Sequence, residues 1–576
     1  MTSVTEKLFQ PPVNDLRFRA PEPLNSTWSS TKNATTYPPF CIGYGGDDTG
    51  HIESEDCLYL NVIRPSTATP SSSLPVAVWI HGGGLLMGGT NDPRYNLSFI
   101  VQNSVDMNKP MIGISIQYRL SAWGFLGGKE ALEGGATNLG YRDQRLALHW
   151  IQENIAAFGG DPRKVAIWGE SAGGQSVGAQ LLAYNGKSLF SFFLYYRPIS
   201  AKLSVFISIL EIGKSSTKLF SGRDDNLFRA AIAESGGPSV SFFPLTLPLC
   251  FNSTSYQTIY NTLVTSTSCA STLSNGTSLA CLRGLPFDEL NSALNISTQG
   301  LGPFVPVIDN DFIFTYPSTQ LSSGNFVRVP LLIGTNTDEG TAFGSGYGPN
   351  GTGVNTDVEW LQTLNSTGID PTSSTAFIIS ALYPNIQALG IPSLTTYPQI
   401  ITPNSSVAAS NGLQFRRVAA YIGDIVVIAP RRASNVAWSS YNVPSYAYRF
   451  DVTVNGVPSY IGATHFQEVA FMFNNTLGQG YAVDPFGNLT ETESVAFQNL
   501  AIQMSRSWVA FVTELDPNLN GVQGVNPWPV YNATTGGGAG WDMVFTVNET
   551  SYAEPDTFRG EGIAWISTNA RDVYGR

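Results

Sequence analysis

A run of ten residues, Val165–Gly174, limits the possible folds of this chain more than any other stretch. Its first four residues are apolar and predict a buried strand. Gly169, Ser171 and Gly173 then complete the pattern G-x-S-x-G, and the Ala/Gly-rich run behind them predicts the start of a helix. A strand that turns into a helix this quickly leaves no room for side chains around the serine. The serine of such a turn has a strained conformation, with its hydroxyl exposed above the edge of a sheet.

A second copy of the same pattern, Gly174–Gly178, is centred on Ser176. In a chain this rich in glycine and serine, about one match is expected by chance. The two copies differ in context, because the first follows a predicted strand and the second lies inside the predicted helix, where no sharp turn forms. Ser171 is therefore the candidate nucleophile, and Ser176 is expected to be a packing residue.

The overall composition indicates a globular protein with a substantial core, since 42% of the 576 residues are hydrophobic. We expect residues 1–576 to form one large α/β domain. A net charge of −12 disfavours nucleic acid and anionic membrane surfaces as partners. The sequence has no apolar run long enough for a membrane span, no phosphate-binding loop and no clustered His/Cys pattern. No metal and no cofactor are therefore expected.

Cysteines and glycosylation sequons point to an extracellular protein. The density of N-x-S/T sequons, thirteen in all, favours a secreted glycoprotein over a chance excess on a Ser/Thr-rich surface. Five cysteines fit an oxidising compartment if four of them pair in short loops. The economical pairing is Cys41 with Cys57 and Cys269 with Cys281, which leaves Cys250 odd. The N-terminal residues contain no apolar signal core, and this conflicts with secretion.

Predicted strands alternate with predicted helices along the chain. The strands are expected at 58–63, 76–80, 111–118, 165–168, 229–234 and 329–334. The helices are expected at 142–158 and 493–515. This alternation indicates an α/β fold with a largely parallel or mixed central sheet. The second strand runs into His81–Gly84, a flexible turn whose backbone amides can closely approach a ligand.

Several segments, in the same order along the chain, resemble the type-B carboxylesterase/lipase family. These are Leu16–Leu24, Ser54–Asn61, His81–Gly84, Asp143–Leu148, Asn154–Pro162, Gly169–Gly174, Gly334–Gly340 and Glu554–Arg559. The family is the cholinesterase-like branch of the α/β-hydrolases, and the likeness is greatest to its fungal members. The resemblance implies an α/β-hydrolase fold, with a large, mostly parallel or mixed sheet flanked by helices. It also implies hydrolysis of carboxylic esters without a metal or cofactor.

The chain departs from the family pattern at its N-terminus. Members of the family normally carry a signal peptide, a β-hairpin and a short apolar stretch before the segment that matches Pro11–Asp15. Only ten residues precede that segment here. The resemblance therefore predicts a sequence truncated at the front, which would explain the absent signal.

The second departure is the segment Lys187–Gly222, which interrupts a run that is continuous in the family. It carries five Lys or Arg residues against the single acid Glu211, whereas the chain as a whole is acidic. Asn185–Ser188 and Phe220–Gly222 can be encoded by codons that contain splice-donor and splice-acceptor sequences, and removing the segment preserves the reading frame. We therefore expect a retained intron. The alternative is a genuine amphipathic lid, which the apolar run 189–196 would suit.

The catalytic partners of the serine follow partly from chain order. A serine hydroxyl needs an adjacent base, itself oriented by a carboxylate, and α/β-hydrolases place these groups in the order serine, acid, histidine. Of the four histidines only His465 follows the acidic loop 334–340, and its context resembles the family's histidine loop. His51 lies in the first cysteine loop, His81 lies in the glycine turn, and His149 is expected on a helix, exposed to solvent.

Two neighbouring residues, Asp338 and Glu339, are candidates for the acid, and the residues alone leave both open. The resemblance favours Glu339, since the family's acid is the glutamate before a glycine. An oxyanion formed during the reaction needs amide donors that are fixed in advance. The residue after the nucleophile, Ala172, supplies one such amide, and the resemblance assigns two more to Gly83 and Gly84.

The loop between Cys41 and Cys57 bears on the substrate class. In lipases of the family this loop carries a long apolar lid, but here it is short and polar. A carboxylesterase is therefore favoured over an interfacially activated lipase. The loop also lacks the tryptophan with which cholinesterases hold a quaternary ammonium, so choline esters are not expected. The alternatives are a lipase or sterol esterase acting on long-chain esters, and a catalytically silent binding protein of the same fold. The oligomeric state stays open.

Overall fold

The computed structural model describes residues 1–24, 29, 34–186, 226–240, 254–295 and 304–576. The segment 187–222 and Cys250 therefore lie outside the described residues. Within those residues, helices are too short or too polar to cross a membrane.

The described residues form twelve strands, β1 to β12 in chain order. They are β1 Thr2–Lys7, β2 Phe40–Cys41, β3 Glu53–Ser54, β4 Tyr59–Arg64, β5 Leu74–Ile80, β6 Ile112–Ile116, β7 Gly160–Glu170, β8 Ala230–Glu234, β9 Leu331–Asn336, β10 Ser445–Phe450, β11 Trp541–Phe545 and β12 Tyr552–Pro555. Ten of them form one sheet in the order β1-β4-β6-β5-β7-β8-β9-β10-β11-β12, and β2 pairs with β3 separately. The sheet is parallel from β6 to β11 and antiparallel at both margins. The expected mixed α/β sheet is confirmed.

The α-helices of the same described ranges are likewise numbered in chain order. They are α1 Leu97–Asp106, α2 Ser121–Phe125, α3 Lys129–Glu133, α4 Leu139–Asn154, α5 Ala172–Leu182, α6 Thr254–Thr265, α7 Ser278–Gly284, α8 Phe287–Leu294, α9 Pro317–Ser323, α10 Gly340–Phe343, α11 Asp357–Ser366, α12 Ser374–Leu382, α13 Ser406–Asn411, α14 Phe415–Gly423, α15 Ala429–Ser440, α16 Val469–Met472, α17 Glu491–Glu514 and α18 Gly560–Thr568. A π-helical turn, Asp424–Ile428, joins α14 to α15.

The central strands are buried on both faces, as their continuous apolar sequences require of a parallel sheet. Alternate residues of β5 point to opposite sides. Val76, Val78 and Ile80 join a core with α4, α5, α14 and α15. Ala77 and Trp79 join a second core with α1 and α17. The sheet is thus a buried layer between two layers of helices.

Both expected disulfides are present, Cys41–Cys57 and Cys269–Cys281. The first closes the loop between β2 and β4, which we call the disulfide loop (residues 41–57). Because β5, β7 and β9 are parallel, their carboxyl ends lie at one edge of the sheet, where ligands bind in α/β folds. The glycine turn, Ser171 and the acidic loop each follow one of these strands.

Candidate active site

Ser171 occupies the turn between β7 and α5 in a strained conformation, with φ 55° and ψ −123°. Its amide donates a hydrogen bond of 2.9 Å to the carbonyl of Glu234, which ties the turn to β8. A Cβ added to Gly169 would lie 2.5 Å from the carbonyl carbon of Gly173, and one added to Gly173 would lie 2.0 Å from the oxygen of Ile80. Steric crowding therefore requires both glycines of the motif.

His465 connects the serine to a carboxylate. Its Nε2 lies 2.8 Å from Ser171 Oγ, and its Nδ1 lies 2.7 Å from Glu339 Oε2. Glu339 is fully buried, and only 13% of the His465 side chain is exposed. The ring of Phe343 packs edge-on against the imidazole at 4.8 Å between centroids. This is the serine–base–acid geometry that activates a hydroxyl.

The two neighbouring acids face different loops. Glu339 Oε1 accepts hydrogen bonds from the Asn336 amide (2.8 Å) and from Ser235 Oγ (2.5 Å). Asp338 instead accepts from the Ala463 amide at 2.9 Å through Oδ2 and donates its own amide to the Ala463 carbonyl. Burial raises the pKa of Asp338 to about 7. The structure therefore brings Glu339 to the histidine, while Asp338 holds the loop that carries it.

The glycine turn packs directly against the serine. A Cβ on Gly82 would lie 3.0 Å from Ser171 Cβ, and Gly83 and Gly84 adopt φ values of +91° and +65°. The amides of Gly83 and Gly84 donate to no acceptor in the described part of the chain. Ala172 is the first residue of α5, so its amide lacks an intrahelical acceptor too. Three N–H donors on the turns that follow β5 and β7 are thus left without a backbone acceptor among the residues described.

Three further buried glutamates, which the sequence analysis did not identify, surround the histidine and its acid. Glu170 Oε1 lies 3.3 Å from His465 Nε2. Glu234 accepts hydrogen bonds from the indoles of two tryptophans, at β7 and α17. Burial, followed by repulsion from neighbouring carboxylates, raises the pKa of Glu170 and Glu234 well above the usual value and that of Glu468 to about 7. The site is therefore crowded with acids whose protonation depends on one another.

Ser235 lies between two of these carboxylates, 2.5 Å from Glu339 Oε1 and 3.1 Å from Glu468 Oε1. A hydroxyl has one proton and can donate to only one of them. A protonated Glu468 can donate to Ser235, which then donates to Glu339. This arrangement satisfies both contacts and leaves the charge on the acid that faces His465.

The sequence offered only a weak signal for these acids. Glu170 directly precedes Ser171, and Glu468 follows His465 by three residues, so both lie within the segments already singled out. Their complete burial depends on the packing of distant strands and α17, and no local pattern reveals it. Among the described residues, no group of three or more His, Cys, Asp or Glu side chains is arranged to hold a metal ion.

The other histidines and the second serine have surroundings of their own. The expectation that His149 is exposed to solvent is wrong, because α4 is covered on most of its surface and leaves this side chain 5% exposed. His81 is buried against Tyr118, and His51 stacks on Phe40. Ser176 donates to the Ala172 carbonyl and accepts from a glutamine of α4, as expected of a packing residue.

A mixed sheet with a parallel centre, a serine on the strained turn after one strand, and a histidine–glutamate pair together define an α/β-hydrolase. A profile of the Carboxylesterase family matches residues 9–195 and 215–548, and the chain belongs to this family. It is a carboxylic ester hydrolase. The gap between the two matched ranges, residues 196–214, falls within the segment 187–222.

Individual relatives match nearly the whole length of the chain. It is 32% identical to Secreted lipase 1 of Botryotinia fuckeliana, over 91% of this chain and 82% of that protein. It is 31% identical to Lipase 4 of Diutina rugosa, over 98% and 92% respectively. The crystal structure of Aspergillus niger EstA superposes with a TM-score of 0.73 at 25% identity, covering 100% of this chain and 95% of that one.

Proposed function

We propose that the protein cleaves esters through an acyl intermediate on Ser171. His465 takes the proton of the hydroxyl as Oγ attacks the ester carbonyl, and Glu339 holds the imidazole in place and stabilises its positive charge. The protonated histidine then gives its proton to the leaving alcohol, and water repeats the sequence on the acyl group. The observation that carries this proposal is the continuous contact from Ser171 to Glu339, at 2.8 and 2.7 Å.

The oxyanion formed by the attack would be bound by the three unused amides of Gly83, Gly84 and Ala172. Donors that are already in position before charge develops stabilise it without further reorganisation. One such donor contributes about 10²–10³ in rate. The positive φ values of the glycines support the assignment, because other residues rarely adopt them.

Soluble and dispersed esters, rather than lipid aggregates, are the proposed substrates. The disulfide loop is held by three ion pairs, Lys7–Asp56, Arg17–Glu55 and Arg94–Asp47, at 2.6, 2.5 and 2.8 Å. A loop fixed in this way does not behave as a mobile apolar lid. The named relatives are lipases, which favours long-chain ester hydrolysis as the second candidate. Disulfides and a relative named as secreted support an extracellular location.

Ser171→Ala tests the mechanism. We expect turnover of a soluble aryl ester to fall below about one per cent of the parent value. Loss of the nucleophile lowers the rate of such enzymes by several orders of magnitude. Ser176→Ala is the matched control, since this serine lies within α5, five residues after Ser171, and its hydroxyl bonds only to the Ala172 carbonyl and to a glutamine of α4 in the contacts described. Equal loss of activity in both variants, or activity retained by Ser171→Ala, would contradict the proposal.

A further inference from the structure

One carboxylate joins the disulfide loop to the turn that carries the glycine amides. We call residues 81–89 the glycine loop. Asp48, in the disulfide loop, accepts a hydrogen bond from the Gly88 amide at 2.8 Å through Oδ1 and from the Gly45 amide at 2.9 Å through Oδ2. Asp48 is only 9% exposed. Each of its oxygens therefore holds one of the two loops.

The surfaces of the two loops fit closely around this carboxylate. The Tyr44 amide donates to the Leu86 carbonyl at 2.8 Å. A Cβ on Gly45 would lie 2.0 Å from the sulfur of Met87, and one on Gly43 would lie 2.6 Å from Asp48 Oδ2. A side chain at Gly45 would therefore clash with the glycine loop, and one at Gly43 would clash with the Asp48 carboxylate.

Hydrogen bonds within the glycine loop fix the directions of the two donor amides. In a trans peptide the carbonyl and the following N–H point in opposite directions. The Gly83 carbonyl accepts from the amides of Leu86 and Met87 at 3.0 and 3.1 Å, which sets the direction of the Gly84 N–H. His81 Nδ1 donates to the Gly82 carbonyl at 3.0 Å, which sets the Gly83 N–H. The amide of Gly88, which Asp48 binds, directly follows the two amides that bind the Gly83 carbonyl.

We propose that Asp48 is a positioning residue for the oxyanion site. Its bond to Gly88 holds the end of the glycine loop, so that Leu86 and Met87 stay bound to the Gly83 carbonyl and the two amides stay aimed at the ester. The inference rests on the proposed function. It assigns the disulfide loop a role in catalysis, as a support for the donors. Opening this loop would dismantle the oxyanion site, so substrate enters without its movement.

Asp48→Ala and Asp48→Asn test this role through two readouts. The first is turnover of a soluble aryl ester, with kcat and KM measured separately. The second is inhibition by a trifluoromethyl ketone, which adds to the serine and leaves an oxyanion at the same position. Asp48→Ala should lower kcat by about tenfold to a hundredfold, in line with partial loss of prepositioned donors, with KM changed by less than about threefold. Affinity for the ketone should fall by the same factor as kcat/KM.

Asp48→Asn keeps the shape of the side chain but replaces one acceptor with a donor, so one of the two loop contacts is lost. The kcat and ketone affinity of Asp48→Asn should lie between those of the parent and of Asp48→Ala. If the alanine variant does not fold, the asparagine variant is used for the test instead. Asp47→Asn is the matched control. Asp47 is the adjacent residue, but its carboxylate pairs with Arg94 and makes no bond to the glycine loop, and the oxygen of the new asparagine can still accept from Arg94. It should leave kcat and ketone affinity unchanged.

Unchanged kcat and ketone affinity in folded Asp48→Ala, or in Asp48→Asn if only that variant folds, would overturn the inference. So would a rise in KM alone, because that would indicate a contact with the ground state of the substrate. The proposed function fails separately. If the parent enzyme is not inhibited by the ketone, or if Ser171→Ala remains active, the mechanism itself is wrong, and the role of Asp48 is overturned with it.

Discussion

At the scale of single residues, Asp338 and Glu339 show how adjacent carboxylates acquire different roles. We expect Glu339→Gln to lower kcat by about two orders of magnitude or more, because the imidazolium loses its neighbouring charge. Asp338→Asn should lower kcat by less than about tenfold, because the amide oxygen of asparagine can still accept the hydrogen bond from the Ala463 amide. Steady-state kinetics on a soluble aryl ester measures both, with circular dichroism as a check on folding. The reverse ranking would move the acid to Asp338.

Glu468 makes stability depend on pH. Its pKa in the folded protein is raised to about 7 from an ordinary value of 4.5, chiefly by burial and then by the charge of Glu339. Between these values the folded state holds a proton that the unfolded state has released. The contribution of this group to stability is therefore complete at low pH and is lost as pH rises towards 7, by at most about 1.4 kcal/mol per pH unit.

Glu468→Gln removes that titration while keeping a donor for Ser235. We expect the variant to lose less stability than the parent between about pH 5 and 7. Chemical unfolding at a series of pH values measures the difference, with Glu491→Gln as a control at an exposed carboxylate. Parallel stability curves for parent and Glu468→Gln would show that this carboxyl is ionised throughout.

Chain order and local geometry were enough to single out two of the residues that the structure brings into contact, and their catalytic roles stay predictions. Ser171 stood out because a strand, a glycine turn and a helix meet there, and His465 because it alone follows the acidic loop. Glu339 required a resemblance to known proteins, since nothing local separates it from Asp338. Glu170 and Glu468 escaped notice, and His149 was assigned to the surface, because burial depends on elements far away in the chain.

At the scale of elements, the strands that the sequence predicted are those with continuous apolar runs, such as β6, β8 and β9. At the two sides of the sheet, β1 and β10 to β12 were not predicted. β10, Ser445–Phe450, mixes polar and aromatic residues and has no continuous apolar run. β1 is an edge strand that is defined by its pairing with β4. β7 begins five residues earlier than expected, at Gly160, because Leu74 of β5 pairs with it across a bulge. Strand ends depend on partners, which a local pattern does not contain.

Gly173→Ala tests the packing of β7 against α5. The added methyl group would lie 2.0 Å from the Ile80 carbonyl oxygen, so the strand and helix must separate. Overpacking of this kind destabilises by about 1–3 kcal/mol, or more where backbone must move. We expect a lower midpoint in chemical unfolding and reduced turnover. Gly46→Ala is the control, since nothing lies within 4 Å of a Cβ there. Equal stability of both variants would contradict the crowding argument.

At the scale of the whole molecule, the segment 187–222 is the part that agrees least with the rest. It is basic in an acidic chain, and the family match leaves out 196–214 within it. We propose that it does not belong to the evolved fold. A long insertion in a loop lowers the stability of the folded protein only slightly through loop entropy, since each doubling of loop length costs about 0.6 kcal/mol. Its apolar run 189–196 would instead promote association between molecules.

A variant lacking residues 187–222, secreted from a fungal host, tests both this proposal and the substrate class. We expect a higher soluble yield and turnover of short aryl esters at least equal to that of the full chain. With increasing tributyrin concentration, the hydrolysis rate of the full chain and of the deletion variant should rise smoothly through the solubility limit of tributyrin. A fixed disulfide loop gives no interfacial activation. If the deletion abolishes activity, or if the full chain alone gains activity once droplets form, the segment acts as a lid. The protein would then be a lipase, as its named relatives are, and the preference for soluble esters would be wrong.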